Sequence, residues 1–251
     1  MIKAIQARIR QGHRTMAFPP AAPGLPARFR GLPVLQPAMC TDGCRACADA
    51  CPTGAITTAP LSLDLGRCLF CGDCATACPT GGIAMSPEYR MAARDRAALV
   101  LQGDEVMPRA EALDREARRL FGRSLQLRQV SAGGCNACEA DVAVLNTLVY
   151  DLGRFGIQFV ASPRHADGLL ITGPVTDHMR EALRTTYEAL PDPRVVIAVG
   201  ACAISGGPYL GHAEANDGAG GTVPVDLYVP GCPPHPLTIL DGLLRLLARI
   251  E

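Results

Sequence analysis

Twelve cysteines in 251 residues are the side chains of this chain best able to do chemistry, and their spacing argues for metal. Eight fall in two runs, CTDGCRACADACP at 40–52 and CLFCGDCATACP at 68–79. The second fits C-x2-C-x2-C-x3-C-P at every position. In that pattern three thiolates wrap one corner of an iron–sulfur cubane, and the fourth, before proline, reaches a second cluster. Sliding the sequence on itself by 27 residues lays 47–56 over 74–83, so one motif is present twice. Crossed ligation gives Cys40, Cys44, Cys47 and Cys78 to one [4Fe–4S] cluster and Cys68, Cys71, Cys74 and Cys51 to the other. Cys40 and Cys44 are three residues apart rather than two; a looser turn through Thr41-Asp42-Gly43 absorbs the difference, with Gly43 free to take positive φ. Zinc is the competing metal, since the C-x2-C pairs Cys44/Cys47 and Cys71/Cys74 could build one tetrahedral site. That site leaves four cysteines and both Cys-Pro ends unexplained.

The other four cysteines need elements to bring them together. Strand patterns at 125–130 (LQLRQV), 157–161 (IQFVA), 168–172 (GLLIT), 194–200 (RVVIAVG) and 226–231 (DLYVPG) alternate with helical patterns at 140–152, 178–190 and 236–250, a parallel α/β arrangement. Cys135 and Cys138 in GGCNACE follow the first strand, Cys202 the fourth and Cys232 the fifth. Each thus lies beyond the carboxyl end of a strand, the edge where open parallel sheets bind ligands. Four thiolates from three loops can converge there on one cluster, whereas structural cysteines would fall inside strands or helices. Gly133, Gly134, Gly200, Gly206, Gly207 and Gly231 flank the four, as close approach of backbone to a cluster requires.

Composition narrows the class. The N-terminus has neither an apolar h-region nor a small-residue cleavage site, so a reducing compartment is expected, in which thiols stay reduced or bind metal. No run of 18 apolar residues spans a membrane. The formal net charge of zero is a cancellation: residues 1–39 hold six Lys or Arg and no acid, and the remainder holds 18 basic and 24 acidic residues. Such a segment suits an anionic lipid surface or an acidic protein better than nucleic acid. Ile2, Ile5 and Ile9 recur at helical spacing among Lys3, Arg8 and Arg10, a pattern for a membrane interface or for packing on a neighbour. The proline-rich stretch at 18–37 excludes helix. Ala, Arg and Glu dominate 87–122, which reads as a helical connector broken at Met107-Pro108. Four segments follow: a basic amphipathic and extended segment at 1–36, a two-cluster domain at 37–86, the connector at 87–122 and an α/β domain at 123–251. No Ser/His/Asp arrangement, P-loop or G-x-G-x-x-G is present, so the chain carries no catalytic centre of its own.

The two cysteine runs resemble bacterial two-cluster ferredoxins. GGCNACEADV, SPRHADGLLITGPVT, VAVGACAISGG and VPVDLYVPGCPPHPLTIL, in that order, resemble the small electron-transfer subunit of membrane-bound, formate-hydrogenlyase-type [NiFe] hydrogenases. That family is homologous to the cluster-bearing B subunit (20 kDa family) of respiratory complex I. Residues 1–90, including FRGLP at 29–33, resemble the ferredoxin subunit of the same complexes, so the chain resembles a fusion of the two. The resemblance implies a flavodoxin-like, three-layer α/β domain plus a small α+β 2[4Fe–4S] ferredoxin domain. It implies three [4Fe–4S] clusters, the third held by Cys135, Cys138, Cys202 and Cys232 and facing a large subunit. Complex I has two adjacent cysteines where this chain has Cys135-x2-Cys138, which favours the hydrogenase branch. Glu139 beside the third site could relay protons, or form a salt bridge at the subunit interface. His165 reads as a hydrogen-bonded loop residue, and His212 and His235 have no partner legible in the sequence. Implied partners are a [NiFe]-hydrogenase-like large subunit, integral membrane subunits and an electron donor or acceptor protein, with peripheral membrane contact through the N-terminal segment at the cytoplasmic face of the inner membrane. A related assembly whose large subunit lacks nickel, of the NADH or quinone dehydrogenase type, is the alternative.

Overall fold

The N-terminal half is built of short elements held by a proline-rich strap. The computed structural model describes residues 2–12, 14–21, 23–103 and 106–250. Helix α1 (Ile2–Gln11) has the apolar stripe the sequence predicts, yet none of its residues is buried, and Ile2, Ile5 and Ile9 are 72%, 57% and 77% exposed. The extended segment after it lies over the C-terminal half. Met16 N–H donates to Val149 O (2.8 Å), Arg154 donates to Phe18 O (3.0 Å), and the buried Phe18 ring meets Tyr89 edge-on. Gly31 has no room for a side chain, because a Cβ there would run into the Glu88 carbonyl.

Next come β1 (Pro33–Leu35), α2 (Ala46–Asp49), β2 (Ile56–Thr58), β3 (Leu61–Asp64), α3 (Asp73–Ala77), β4 (Ile83–Met85) and β5 (Val100–Gln102). β1 pairs antiparallel with β4, and β2, β3 and β5 form a second antiparallel sheet. Leu35, Ile56, Leu61, Leu63, Ile83, Leu99 and Leu101 close a small core that also takes in Ala198, Ala203 and Ile204 from the C-terminal half.

The 87–122 connector corrects the sequence expectation. Its helix-favouring Ala and Arg residues are overridden by burial: Met91, Ala92 and Ala93 are buried, and Ala93 exchanges backbone hydrogen bonds with Tyr228 (3.0 and 2.8 Å). Leu101 is buried on β5 against β3. Among the described residues of this segment, α-helix is confined to α4 (Arg115–Phe121), where the Asp114 carboxylate accepts from the N–H groups of Glu116 and Ala117 (2.9 Å each), a regular N-cap.

The C-terminal half continues with β6 (Leu125–Ser131), α5 (Ala137–Val144), β7 (Ile157–Phe159), β8 (Gly168–Thr172), α6 (Asp177–Glu188), β9 (Val195–Val199), α7 (Ala201–Ser205), β10 (Leu227–Val229) and α8 (Pro236–Leu246). The helix expected at 140–152 stops at Val144 and gives way to turns and a 3-10 segment, Leu152–Phe155. All pairings are parallel, and the sheet order is β7-β6-β8-β9-β10. Counted from β6 this is 2-1-3-4-5, the flavodoxin-like doubly wound order. β8 and β9 are buried at every residue, as parallel strands covered on both faces must be. One face packs Val142, Leu145 and the leucines of α8; the other packs Leu183 of α6 against Val130, Leu169, Ile171 and Val196. Three layers result.

Inside α8, buried Asp241 accepts from Arg245 Nε at 2.9 Å. Burial pushes the Asp241 carboxyl up, and Arg245 pulls against it. Asp241→Ala would leave a guanidinium buried without a partner, at a cost of roughly 3–5 kcal/mol. Thermal unfolding of anaerobically purified protein should show a midpoint lower by on the order of 10 °C, with Asp241→Leu/Arg245→Met recovering most of it.

Candidate iron–sulfur centres

The cysteines gather in three groups of four, and none forms a disulfide. Cys40, Cys44, Cys47 and Cys78 line one cavity of about 430 Å3. Gly43 takes φ +74°, and Cys44 N–H donates to Thr41 O (3.0 Å), so the extra residue between Cys40 and Cys44 is absorbed in a turn. Burial pushes the Cys47 thiol up; the Ala48 N–H opposes this, and Cys78 and Cys40 add to it. Cys51, Cys68, Cys71 and Cys74 line a second, much smaller hollow. Cys68 is pushed up to about 12, first by burial, with Phe70 N–H opposing and Cys74, Cys51 and Cys71 adding. Each Cys-Pro residue thus sits with the other run's triplet. The fold brings this about by setting α2 against α3, which carry Cys47 and Cys74.

Sulfur receives backbone hydrogen bonds at repeat-related positions. Ala55 N–H donates to Cys51 Sγ (3.2 Å) and Gly82 N–H to Cys78 Sγ (3.1 Å), while Phe70 N–H donates to Cys68 Sγ (3.3 Å). At Cys78 slight burial pushes upward, but the N–H and hydroxyl of Thr80 and the N–H of Gly82 outweigh it, and the thiol falls below its ordinary value.

The third group stands at the carboxyl edge of the parallel sheet. Cys135 and Cys138 follow β6, Cys138 in the first turn of α5; buried Cys202 lies on α7 after β9; Cys232 follows β10. Burial, then Cys202, Glu139, Cys232 and Cys135, push the Cys138 thiol up. Cys202 rises to about 11 through burial, Cys232 and Cys135. Gly200 (φ +91°) is required here, since a Cβ would lie 2.5 Å from Cys138 Sγ, and one at Gly207 would lie 3.0 Å from Cys202 Sγ. Cys232 feels burial, Cys135 and then Cys71, so the second and third groups are electrostatic neighbours.

The donor sets fit clusters better than single ions. Among the described residues no three Cys, His, Asp or Glu side chains gather tightly enough to hold one metal ion. Sulfur-only tetrads with N–H groups aimed at sulfur match cubane ligation.

Glu139 lies on α5 beside Cys138. Burial pushes its carboxyl up, but Ser131 Oγ (2.6 Å) and Thr172 Oγ1 (2.7 Å) both donate to Oε1 and prevail, holding it below its ordinary value. The two hydroxyls favour the ionised form of this carboxylate. Sequence reasoning missed Ser131 and Thr172; they close β6 and β8 and stand opposite each other in register, a signal legible only once the strands are paired. His165 is exposed in a 3-10 turn, Pro163–His165. His212 Nδ1 accepts from Glu214 N–H, and His235 Nδ1 accepts from Leu237 N–H (3.2 Å each). The His235 ring stacks edge-on against Phe29 of the FRGLP segment.

Residues 135–246 match the family described as NADH ubiquinone oxidoreductase, 20 Kd subunit, and residues 39–82 match the 4Fe-4S dicluster domain. The chain is 42% identical over 132 residues to the probable membrane-bound hydrogenase subunit mbhJ of Pyrococcus furiosus, covering 53% of this chain and 79% of the relative. It is 43% identical over 129 residues to formate hydrogenlyase subunit 7 of Escherichia coli, covering 51% of each. To the NADH-quinone oxidoreductase B subunit of Heliobacterium modesticaldum it is 40% identical over 121 residues, covering 48% of this chain and 69% of the relative.

Gly200→Ala forces a methyl group onto Cys138 Sγ. The variant should lose one cluster's worth of iron and sulfide, with the ferredoxin-type EPR signals retained; metal analysis and EPR of dithionite-reduced protein check both.

Proposed function

The chain belongs to the NADH ubiquinone oxidoreductase 20 kDa subunit family, with a 4Fe-4S dicluster domain preceding that part in one polypeptide, and on that premise we propose that it relays electrons through three [4Fe–4S] clusters. It is an iron–sulfur electron-transfer subunit of the hydrogenase and complex I-like kind, an oxidoreductase component acting within a complex. The three cysteine tetrads carry the proposal of three clusters. Cys40, Cys44, Cys47 and Cys78 would hold the first cluster, Cys68, Cys71, Cys74 and Cys51 the second, and Cys135, Cys138, Cys202 and Cys232 the third. The proximity of Cys71 to Cys232 supports a linear order in which the second lies between the other two.

When bound, the clusters supply one-electron carriage. What the chain's residues do is positional and electrostatic. Gly200 and Gly207 let backbone approach the third tetrad, the N–H groups of Ala55, Phe70 and Gly82 donate to sulfur, and the core around Leu63, Leu65 and Leu99 keeps water from one side of the ferredoxin-type tetrads. Glu139 acts in this reading as a fixed negative charge beside the third tetrad rather than as a proton carrier.

The large subunit we infer is [NiFe]-hydrogenase-like, docked over Cys135, with integral membrane subunits in the same complex. Identity to a hydrogenase subunit and to formate hydrogenlyase subunit 7, and the Cys135-x2-Cys138 spacing, support that branch. Identity to an NADH-quinone oxidoreductase B subunit supports the alternative, the same wiring against a large subunit without nickel. Peripheral attachment at the cytoplasmic face of the inner membrane is supported by the exposed isoleucines and basic residues of α1 and by a relative named as part of a membrane-bound hydrogenase. No helix among the described residues is long and apolar enough to cross a membrane.

Anaerobically purified protein should contain about twelve iron and twelve sulfide per chain; a value near eight would remove one cubane. Cys40→Ser should perturb one EPR signal and spare the others. The large subunit that co-purifies should carry two C-x2-C pairs, and their absence would select the nickel-free branch.

A further inference from the structure

Arg67, immediately before Cys68, has no carboxylate partner among the described residues. Its Nη2 donates to Thr53 O (2.8 Å), and Thr53 Oγ1 donates back to Arg67 O (2.7 Å), which clamps the side chain onto the Pro-Thr-Gly turn that follows Cys51. Nη2 would lie 3.6 Å from a Cβ on Gly54 of that turn. Its Nε is buried and has no hydrogen-bond partner. The nearest carboxylate in sequence, Asp64, gives both oxygens to Arg96 (2.8 and 2.7 Å). Among the described residues Arg67 enters no ion pair. A partly buried guanidinium left in this state is costly unless a negative charge lies close by. The negative charge the site offers is the tetrad whose Cys68 follows Arg67 in sequence and whose Cys51 precedes the turn that Arg67 clamps.

The repeat supplies the control. Cys51 and Cys78 occupy the same repeat position and receive matching N–H donors, and the hydroxyls of Thr53 and Thr80 stand 3.8 and 3.7 Å from their sulfurs. The residue before the first run, however, is Met39, 43% exposed. The one cation within that run, Arg45, is well exposed and paired with Asp49 at 3.5 Å, so solvent and its partner screen it. Backbone donation therefore matches at the two Cys-Pro positions, the second site has one further donor in Phe70 N–H to Cys68 Sγ (3.3 Å), and a clamped cation with a buried Nε stands beside the second site alone.

We propose that Arg67 is the positioning charge that raises the reduction potential of the second cluster above that of the first. Reduction adds one negative charge to a cluster already ligated by four thiolates, and a desolvated cation nearby favours that form. An electron arriving on the ferredoxin half then rests on the cluster whose Cys71 neighbours Cys232. Arg30 adds little: it approaches Gly72 in the same loop but is exposed.

The inference rests on the two-cubane reading of residues 40–78, and one experiment separates the two. Full-length wild type, Arg67→Gln and Arg67→Lys are purified anaerobically, assayed for iron, and titrated potentiometrically with EPR detection. In Arg67→Gln the midpoint of one ferredoxin-type cluster should move to more negative potential while the other two clusters stay in place, and Arg67→Lys should stay close to wild type. Loss of one cluster in Arg67→Gln with full occupancy in Arg67→Lys supports the same conclusion. Fully loaded Arg67→Gln with unchanged midpoints overturns it, as does equal loss or equal shift in both variants, which would mean that shape rather than charge matters. Wild type lacking two ferredoxin-type signals overturns the cluster reading first, before any variant is compared.

Discussion

Thiolates repel one another and resist burial, and the rest of this structure depends on meeting that cost. Cys68, Cys138 and Cys202 all have their thiols pushed upward by burial and by neighbouring cysteines. Four such groups stay together as ligands only around a cationic core. Iron supplies that core, so cluster binding and folding of the ferredoxin half are expected to be coupled. The short strands and small shared apolar core there accord with a region stapled by its cofactors. In the α/β half the balance is reversed. A three-layer core around β8 and β9 is complete without the cluster, and the third tetrad is an attachment at one edge of the sheet.

Position at that edge is what parallel topology provides. Strand β6 is followed by Cys135 and Cys138, β9 by Cys202 and β10 by Cys232, and the 2-1-3-4-5 order sets these loops side by side at one end. Glycines permit the final approach, most clearly Gly200, where positive φ and contact with Cys138 Sγ coincide. The FRGLP segment and the loop after Cys68 converge on the same end, where Phe29, Leu69 and Phe70 share a cavity with Cys232 and His235. Ser205 Oγ donates to Gly66 O (2.8 Å) in the buried seam between the halves, and Ala93 bridges to Tyr228 nearby.

Cysteine spacing and strand ends were legible in the sequence because both are local. C-x2-C-x2-C-x3-C-P is set by the turn that wraps a corner of a cubane, and GLLIT or VVIAV reads as a buried strand without further context. The connector at 87–122 was not legible for the opposite reason. Its Ala-rich composition speaks for helix, but Met91, Ala93 and Leu101 answer to partners on β10, β3 and the seam, which composition does not contain. Glu139 was visible as a carboxylate beside the cluster loop, yet its character depends on Ser131 and Thr172, brought opposite one another only by the pairing of β6 with β8.

Fusion of the two halves has a physical consequence for electron transfer. Were they separate polypeptides, the approach of Cys71 to Cys232 would depend on their concentrations and on the affinity of the seam. Within one chain the second contact forms intramolecularly, at an effective concentration that linkers commonly raise to the millimolar range. The linker here is no loose tether: residues 87–122 contribute β5 to the ferredoxin half, Ala93 to the sheet edge and buried Phe121 to the α/β core. The strap before the first cysteine does the same from the other side through Phe18 and Gly31. Together these crossings of the seam hold the second and third tetrads at one separation. Tunnelling falls steeply with distance, so in the proposed relay this seam, more than either half alone, sets how readily an electron passes between the halves.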